Sequence, residues 1–178
     1  MKKTLASDWL AGCSGCHMSL LDLDERLLAL VEHVDLTATP ITDLKRPAEA
    51  GVDIGLLEGA VNNSSTETVA RRMRRCCKTL VAFGDCAVFG GIVTLRNRVP
   101  AADALRRAYI ETETTVDGRI PRDEELAVIQ PARPVGDVVA VDVCLPGCPP
   151  ASDAIEHVLA ELIAGRTPLL KGTLLDWH

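Results

Sequence analysis

The chain has 178 residues, 47% of them hydrophobic and only 3% aromatic, with a formal charge of -6. That is enough apolar material for one domain with an aliphatic core. The acidic balance excludes general nucleic-acid binding, which needs a basic surface. The apolar run after Lys2 and Lys3 is broken at once by Asp8, and no stretch approaches the roughly 18 residues of a membrane span.

Residues 3–10 (Lys-Thr-Leu-Ala-Ser-Asp-Trp-Leu) read as a first strand. After Cys13 and Cys16, the residues Leu20, Leu23, Leu27, Leu30 and Val34 recur every three or four positions, which predicts one amphipathic helix. A short second strand is expected within 34–44, ending near Pro40, and a third over Val52-Asp53-Ile54-Gly55-Leu56-Leu57, leading into Glu58-Gly59. Ser64-Ser65-Thr66-Glu67 has the form of a capping box and predicts a helix running towards Cys76. Thr79–Phe83 and residues 138–145 are continuous apolar runs of the kind found in buried parallel strands. A last helix follows Pro149-Pro150, with Ile155, Val158, Leu159, Leu162 and Ile163 on its apolar face, and stops near Gly165. Residues 94–137 carry no strong period apart from a helical patch at Ala102–Ile110, so they are expected to form an irregular excursion; residues 166–178 form a tail. The expected architecture is a single α/β domain over 1–178, a flavodoxin-like doubly wound parallel sheet with that excursion before the last strand.

The chemistry-bearing residues stand in three glycine-rich turns, each after a strand: Gly12-Cys13-Ser14-Gly15-Cys16, Gly84-Asp85-Cys86, and Pro146-Gly147-Cys148-Pro149-Pro150. In an open parallel sheet, post-strand loops gather along one edge, where ligands bind. Four thiolates converging there make a metal site, for which a cubane iron–sulfur cluster is the leading candidate. A thioredoxin-like dithiol at Cys13 and Cys16 is an alternative, but leaves Cys86 and Cys148 unexplained. A four-cysteine zinc site is another, although such sites usually pair two Cys-x-x-Cys knuckles. Seven cysteines without an export signal argue against a disulfide framework and for a cytoplasmic protein. Cys76, Cys77 and Cys144 read as structural, with Cys144 a small core residue. Glu58 is expected on the same sheet edge, as a proton-relay or interface carboxylate, or as an ordinary loop acid or helix-region cap. His17 adjoins a cysteine and faces a sulfur or an interface, or simply begins the helix; His33, His157 and His178 are expected at the surface. Arg71-Arg72-Met73-Arg74-Arg75 reads as a solvated helix face, with binding of an acidic partner the alternative, Trp9 as core or interface, and Trp177 as a tail residue able to dock on a neighbour.

Cys13-Ser14-Gly15-Cys16, Glu58-Gly59-Ala60-Val61, Gly84-Asp85-Cys86-Ala87 with Gly90-Gly91, and Pro146-Gly147-Cys148-Pro149-Pro150 together resemble the small subunit of [NiFe] hydrogenases, over about residues 4–165. The resemblance implies one [4Fe–4S] cluster held by Cys13, Cys16, Cys86 and Cys148, next to a nickel–iron centre in a separate large subunit. It implies no nickel ligand on this chain. Many such subunits continue with further cysteine motifs, whereas none follows Cys148 here. That is similar to the short, single-cluster subunit of bidirectional NAD(P)-linked cytoplasmic hydrogenases, in which a diaphorase module with its own clusters and flavin takes the electrons onward. The related cluster subunit of respiratory complex I resembles the chain as well, but has two adjacent cysteines in its first loop; here the adjacent pair, Cys76-Cys77, lies at a helix end.

Overall fold

The computed structural model describes residues 2–45, 47 and 51–175; Trp177 and His178, with the roles expected of them, lie outside the described residues. Apolar runs become strands where the sequence places them: β1 (Lys3–Trp9), β2 (Val34–Ala38), β3 (Val52–Glu58), β5 (Cys77–Phe83) and β7 (Val143–Leu145). They form one all-parallel sheet in the order β2-β1-β3-β5-β7, the doubly wound arrangement expected. Alternate residues serve opposite faces, because side chains in a strand point up and down in turn. Val81 and Phe83 join Ile54, Leu56 and Leu145 on one face, and Leu80 and Ala82 join Leu57 on the other.

The first face is covered by α1 (Gly15–Leu21), α2 (Glu25–Val31) and α6 (Ser152–Ile163), the second by α3 (Ser64–Cys76) and α4 (Asp85–Phe89). α6 buries Ala154, Ile155, Val158 and Leu159, and α3 buries Ala70, Met73 and Cys76, one residue per turn. Among the described residues, no helix is long and apolar enough to cross a membrane.

Four local expectations are corrected. The single helix expected over Leu20–Val34 is two: the chain turns at Asp22–Asp24, where Asp24 adopts φ 50 and Leu23 rolls into the core at 1% exposure. Short aspartate side chains favour such turns over helix interiors. Val34 then begins β2 instead of closing the helix. The cap of α3 is Asn63, not Ser64: Asn63 Oδ1 accepts from the Thr66 N–H at 2.8 Å, and Thr66 Oγ1 accepts from the Asn63 N–H at 3.1 Å. Residues 138–142 are not strand, and β7 is a three-residue edge. As a result Cys144, expected in the core, is exposed.

The excursion is more regular than the sequence suggests. It contains a 3-10 helix (Gly91–Arg98), α5 (Ala101–Tyr109) and β6 (Ile129–Arg133), which pairs antiparallel with β4 (Val61–Asn63). Asn97 holds β6 in place by bonding both the N–H and the C=O of Ala132, at 2.7 and 2.8 Å. The arginine run of α3 is only partly solvated, since Arg72 reaches Asp8 at 2.6 Å and Arg74 reaches Asp142 at 2.6 Å.

Candidate metal centre

The carboxyl ends of β1, β3, β5 and β7 feed four loops, and short hydrogen bonds lash these loops to one another. Leu10 N–H donates to the Glu58 carbonyl at 2.7 Å, and Ala11 and Ala60 exchange two backbone bonds at 3.0 and 2.8 Å. These join the loop of Cys13 and Cys16 to the loop after β3. Asp85 N–H donates to the Gly147 carbonyl at 2.8 Å, and the Asp85 carboxylate accepts from Gly147 N–H at 2.7 Å, which ties the Cys86 and Cys148 loops together. Ser19 of α1 donates to the Pro150 carbonyl at 2.6 Å and links the two pairs of loops.

The four cysteines singled out by the sequence line one cavity of about 70 Å³, with Gly15, Glu58, Asp85, Gly147 and Pro149. Cys16 is buried in the first turn of α1, Cys86 is half-buried, and Cys13 and Cys148 are exposed at the mouth. Cys76 and Cys77 lie away from it, buried in the core beneath α3. Burial pushes the Cys16 thiol far up, with the Glu58 carboxylate and then Cys86, Cys13 and Cys148 adding to it. Burial also raises the Cys86 thiol, opposed by hydrogen bonds from the Ile92 and Val93 backbone.

The donors fit a polynuclear iron–sulfur group better than a single ion. Among the described residues, no three His, Cys, Asp or Glu side chains converge tightly enough to hold one metal ion. Four sulfurs spread around one apolar cavity suit a cluster in which each iron takes its own thiolate. The Ile92 and Val93 backbone, which opposes the rise of the Cys86 thiol, favours the anionic thiolate that such a group needs. The backbone is also cut back to make room: at Gly84 (φ +86) a Cβ would overlap Cys16 Sγ, and at Gly91 (φ +48) it would lie 2.7 Å from Cys86 Sγ.

Glu58 is no ordinary loop acid. It is the last residue of β3, 2% exposed, and its Oε2 accepts from the His17 N–H at 3.0 Å while also contacting His17 Nδ1. His17, 1% exposed, packs edge-on between Trp9 and Phe83 at 5.9 Å from each, and its Nε2 lies 3.0 Å from Ser7 Oγ. Trp9 itself is 41% exposed beside the site. Sequence reasoning missed Ser7 and Thr39, two buried hydroxyls 3.0 Å apart that extend this contact inwards. No local signal marks Ser7, which stands in a strand of mixed composition, Lys-Thr-Leu-Ala-Ser-Asp-Trp. His33 is exposed as expected; His157 is half-buried, with Nε2 3.2 Å from the Leu169 carbonyl.

A five-stranded parallel sheet with a cysteine-lined pocket at its carboxyl edge defines the class, and the family match agrees: the chain belongs to the family of the NADH ubiquinone oxidoreductase 20 Kd subunit, whose model matches residues 13–162. Within that family its likeness is to hydrogenase subunits. It is 38% identical over 169 residues to the delta subunit of the NAD-reducing hydrogenase HoxS of Cupriavidus necator, covering 93% of this chain and 80% of that one. One subunit of the F420-non-reducing hydrogenase of Methanothermobacter marburgensis is 36% identical over 177 residues, covering 98% of this chain. The chain spans 58% of the length of that relative. The structure superposes on a chain of an NAD+-reducing [NiFe]-hydrogenase crystallised in the H2-reduced state, with a TM-score of 0.94 and 38% identity over 100% of both chains. The hydrogenase resemblance and the fold expected from the sequence are thus both borne out.

Proposed function

We propose that Cys13, Cys16, Cys86 and Cys148 hold one [4Fe–4S] cluster, and that the chain is the electron-transfer small subunit of an NAD(P)-linked [NiFe] hydrogenase. The observation that carries this reading is the lining of one glycine-trimmed pocket by four sulfurs from three post-strand loops. When bound, the cluster supplies one-electron chemistry, accepting and releasing single electrons. This chain's own residues do the rest. The lashed loops fix the sulfurs, the Ile92 and Val93 N–H groups stabilise thiolate charge, and Phe83 and the surrounding core exclude water. Glu58 is the chain's candidate proton-holding group beside the pocket.

The nickel–iron site then belongs to a partner large subunit. The apolar side chains around the pocket suit such a partner: Trp9, Met18, Phe89, Ile92 and Leu95 are all exposed. Beyond it, a diaphorase module with clusters and flavin would exchange electrons with NAD(P), which implies a cytoplasmic assembly whose thiols stay reduced. The alternative is a quinone-linked, complex I-type subunit, which differs in its partner and in having adjacent cysteines where this chain has the spaced Cys13 and Cys16.

The reading is tested on anaerobically purified protein. Wild type is expected to be brown, to contain iron and sulfide, and to bleach with dithionite. Cys86→Ser and Cys148→Ser should each lose the cluster's EPR signal. Full cluster content in both variants would refute the ligand set. Co-purification with a large subunit carrying Cys-x-x-Cys motifs at both ends would separate hydrogenase from the quinone-linked alternative.

A further inference from the structure

Ser7, Thr39, His17 and Glu58 form an unbroken polar row inside the protein, with exposures of 3%, 3%, 1% and 2%. They come from four different places: the middle of β1, the residue after β2, the first turn of α1 and the end of β3. Buried polar groups are costly unless they satisfy one another, and these do. Thr39 anchors the inner end, with its N–H donating to the Leu44 carbonyl at 2.7 Å and its Oγ1 accepting from Ser7 Oγ at 3.0 Å. Ser7 Oγ in turn meets His17 Nε2 at 3.0 Å. With the ring also boxed by Trp9 and Phe83, His17 has little freedom to turn. Its ring and its backbone N–H both hold one oxygen of Glu58, Oε2. The other oxygen, Oε1, sits by Gly12, where a built Cβ would lie 3.7 Å away.

We infer that Ser7 and Thr39 are positioning residues which, through His17, fix the orientation of the Glu58 carboxylate against the cysteine pocket and so tune the reduction potential of the group held there. The inference rests on the proposed reading of the pocket as an iron–sulfur site. Cluster potentials depend on nearby charge, hydrogen bonds and solvent exclusion. The buried Glu58 carboxylate lines the pocket, and its charge acts on Cys16 more strongly than that of any of the other three cysteines. A carboxylate held by one oxygen presents a fixed field. Released from His17, it samples several orientations, and the field at the pocket changes.

The test is an EPR-monitored redox titration of the protein purified anaerobically as it assembles in its host. Glu58→Gln should raise the midpoint potential, because it removes a negative charge beside an already negative group. Ser7→Ala should move the midpoint away from wild type and broaden the EPR lines. Thr39→Val should do the same to a smaller degree, and Thr39→Ser, which keeps the hydroxyl, should restore the wild-type value. In the Glu58→Gln background, neither Ser7→Ala nor Thr39→Val should shift the midpoint further, since both act through that carboxylate. Equal shifts in the two backgrounds, or wild-type potentials in both, would overturn the inference. If Ser7→Ala does not accumulate, the Thr39 pair decides alone. A wild-type protein without any cluster signal would instead refute the reading of the pocket.

Discussion

The two ends of the same sheet are built on opposite principles. At the amino end, charged side chains close the strands. Asp53 accepts from the Thr4 N–H at 2.9 Å and pairs with Lys78 at 2.8 Å; Asp142 accepts from the Leu80 N–H at 2.7 Å and pairs with Arg74 at 2.6 Å. Lys78 is 68% exposed, so its pair is softened by solvent and worth little on its own. At the carboxyl end, apart from the Arg72–Asp8 pair and the buried His17–Glu58 contact, backbone bonds and missing side chains do the shaping. Long flexible side chains tolerate small displacements. A wall of backbone around four sulfurs does not, so stability and positional accuracy are segregated to opposite ends of one set of strands.

Substitutions should respect that division. The largest effect is expected from Gly84→Ala, where the new Cβ meets Cys16 Sγ and the positive φ is strained. Bound iron should fall by about tenfold or more, measured by iron analysis, while circular dichroism keeps its α/β form. Retention of full iron would break the comparison. A second substitution is carboxyl-proximal but unconnected to the sulfurs. Asn63→Ala removes the α3 cap and should lower unfolding stability by about 1 kcal/mol, read from urea midpoints, with iron content unchanged.

At the opposite end, Asp53→Asn should cost about 1 kcal/mol or less at pH 7. The Lys78 ammonium and the Thr4 N–H and hydroxyl hold the Asp53 carboxyl down at about 2, against an ordinary 3.8. Its stabilisation is therefore fully present above about pH 4 and is lost as the pH falls through 2. Urea midpoints of wild type and variant should converge over that interval. A gap that widened on acidification would show that the carboxyl is not held in its charged form. The smallest effect belongs to the thiols outside the site. In cluster-loaded protein, Cys144 should react with maleimide. Cys77 should not, since burial and then the neighbouring Cys76 raise its thiol to about 11. Cys144→Ser should leave iron content and stability unchanged.

What the sequence reveals about this molecule follows the range of the interactions involved. Leu80, Val81, Ala82 and Phe83 announce a central strand because both faces of a parallel sheet are covered, and the run needs no partner to be recognised. The four cysteines are legible because glycine-rich turns after strands must share an edge. Val138, Val139 and Val141 look equally strand-like, yet only Val143–Leu145 pair with β5, as apolar content does not fix where an edge strand stops. The pairing of Val61–Asn63 with Ile129–Arg133 joins segments more than sixty positions apart, and no local pattern encodes it. Ser7 and Thr39 were overlooked for the same reason: each is unremarkable alone and acquires meaning only beside His17.

The uneven exposure of the four sulfurs also implies an order of events. Cys16 closes the floor of the pocket, while Cys13 and Cys148 stand at its rim. On the proposed reading of the pocket, iron and sulfide would enter past the exposed Cys13 and Cys148, before a companion protein covered that side. Maturation of such an assembly would then run in a single direction, and a companion that docked too early would trap an empty chamber.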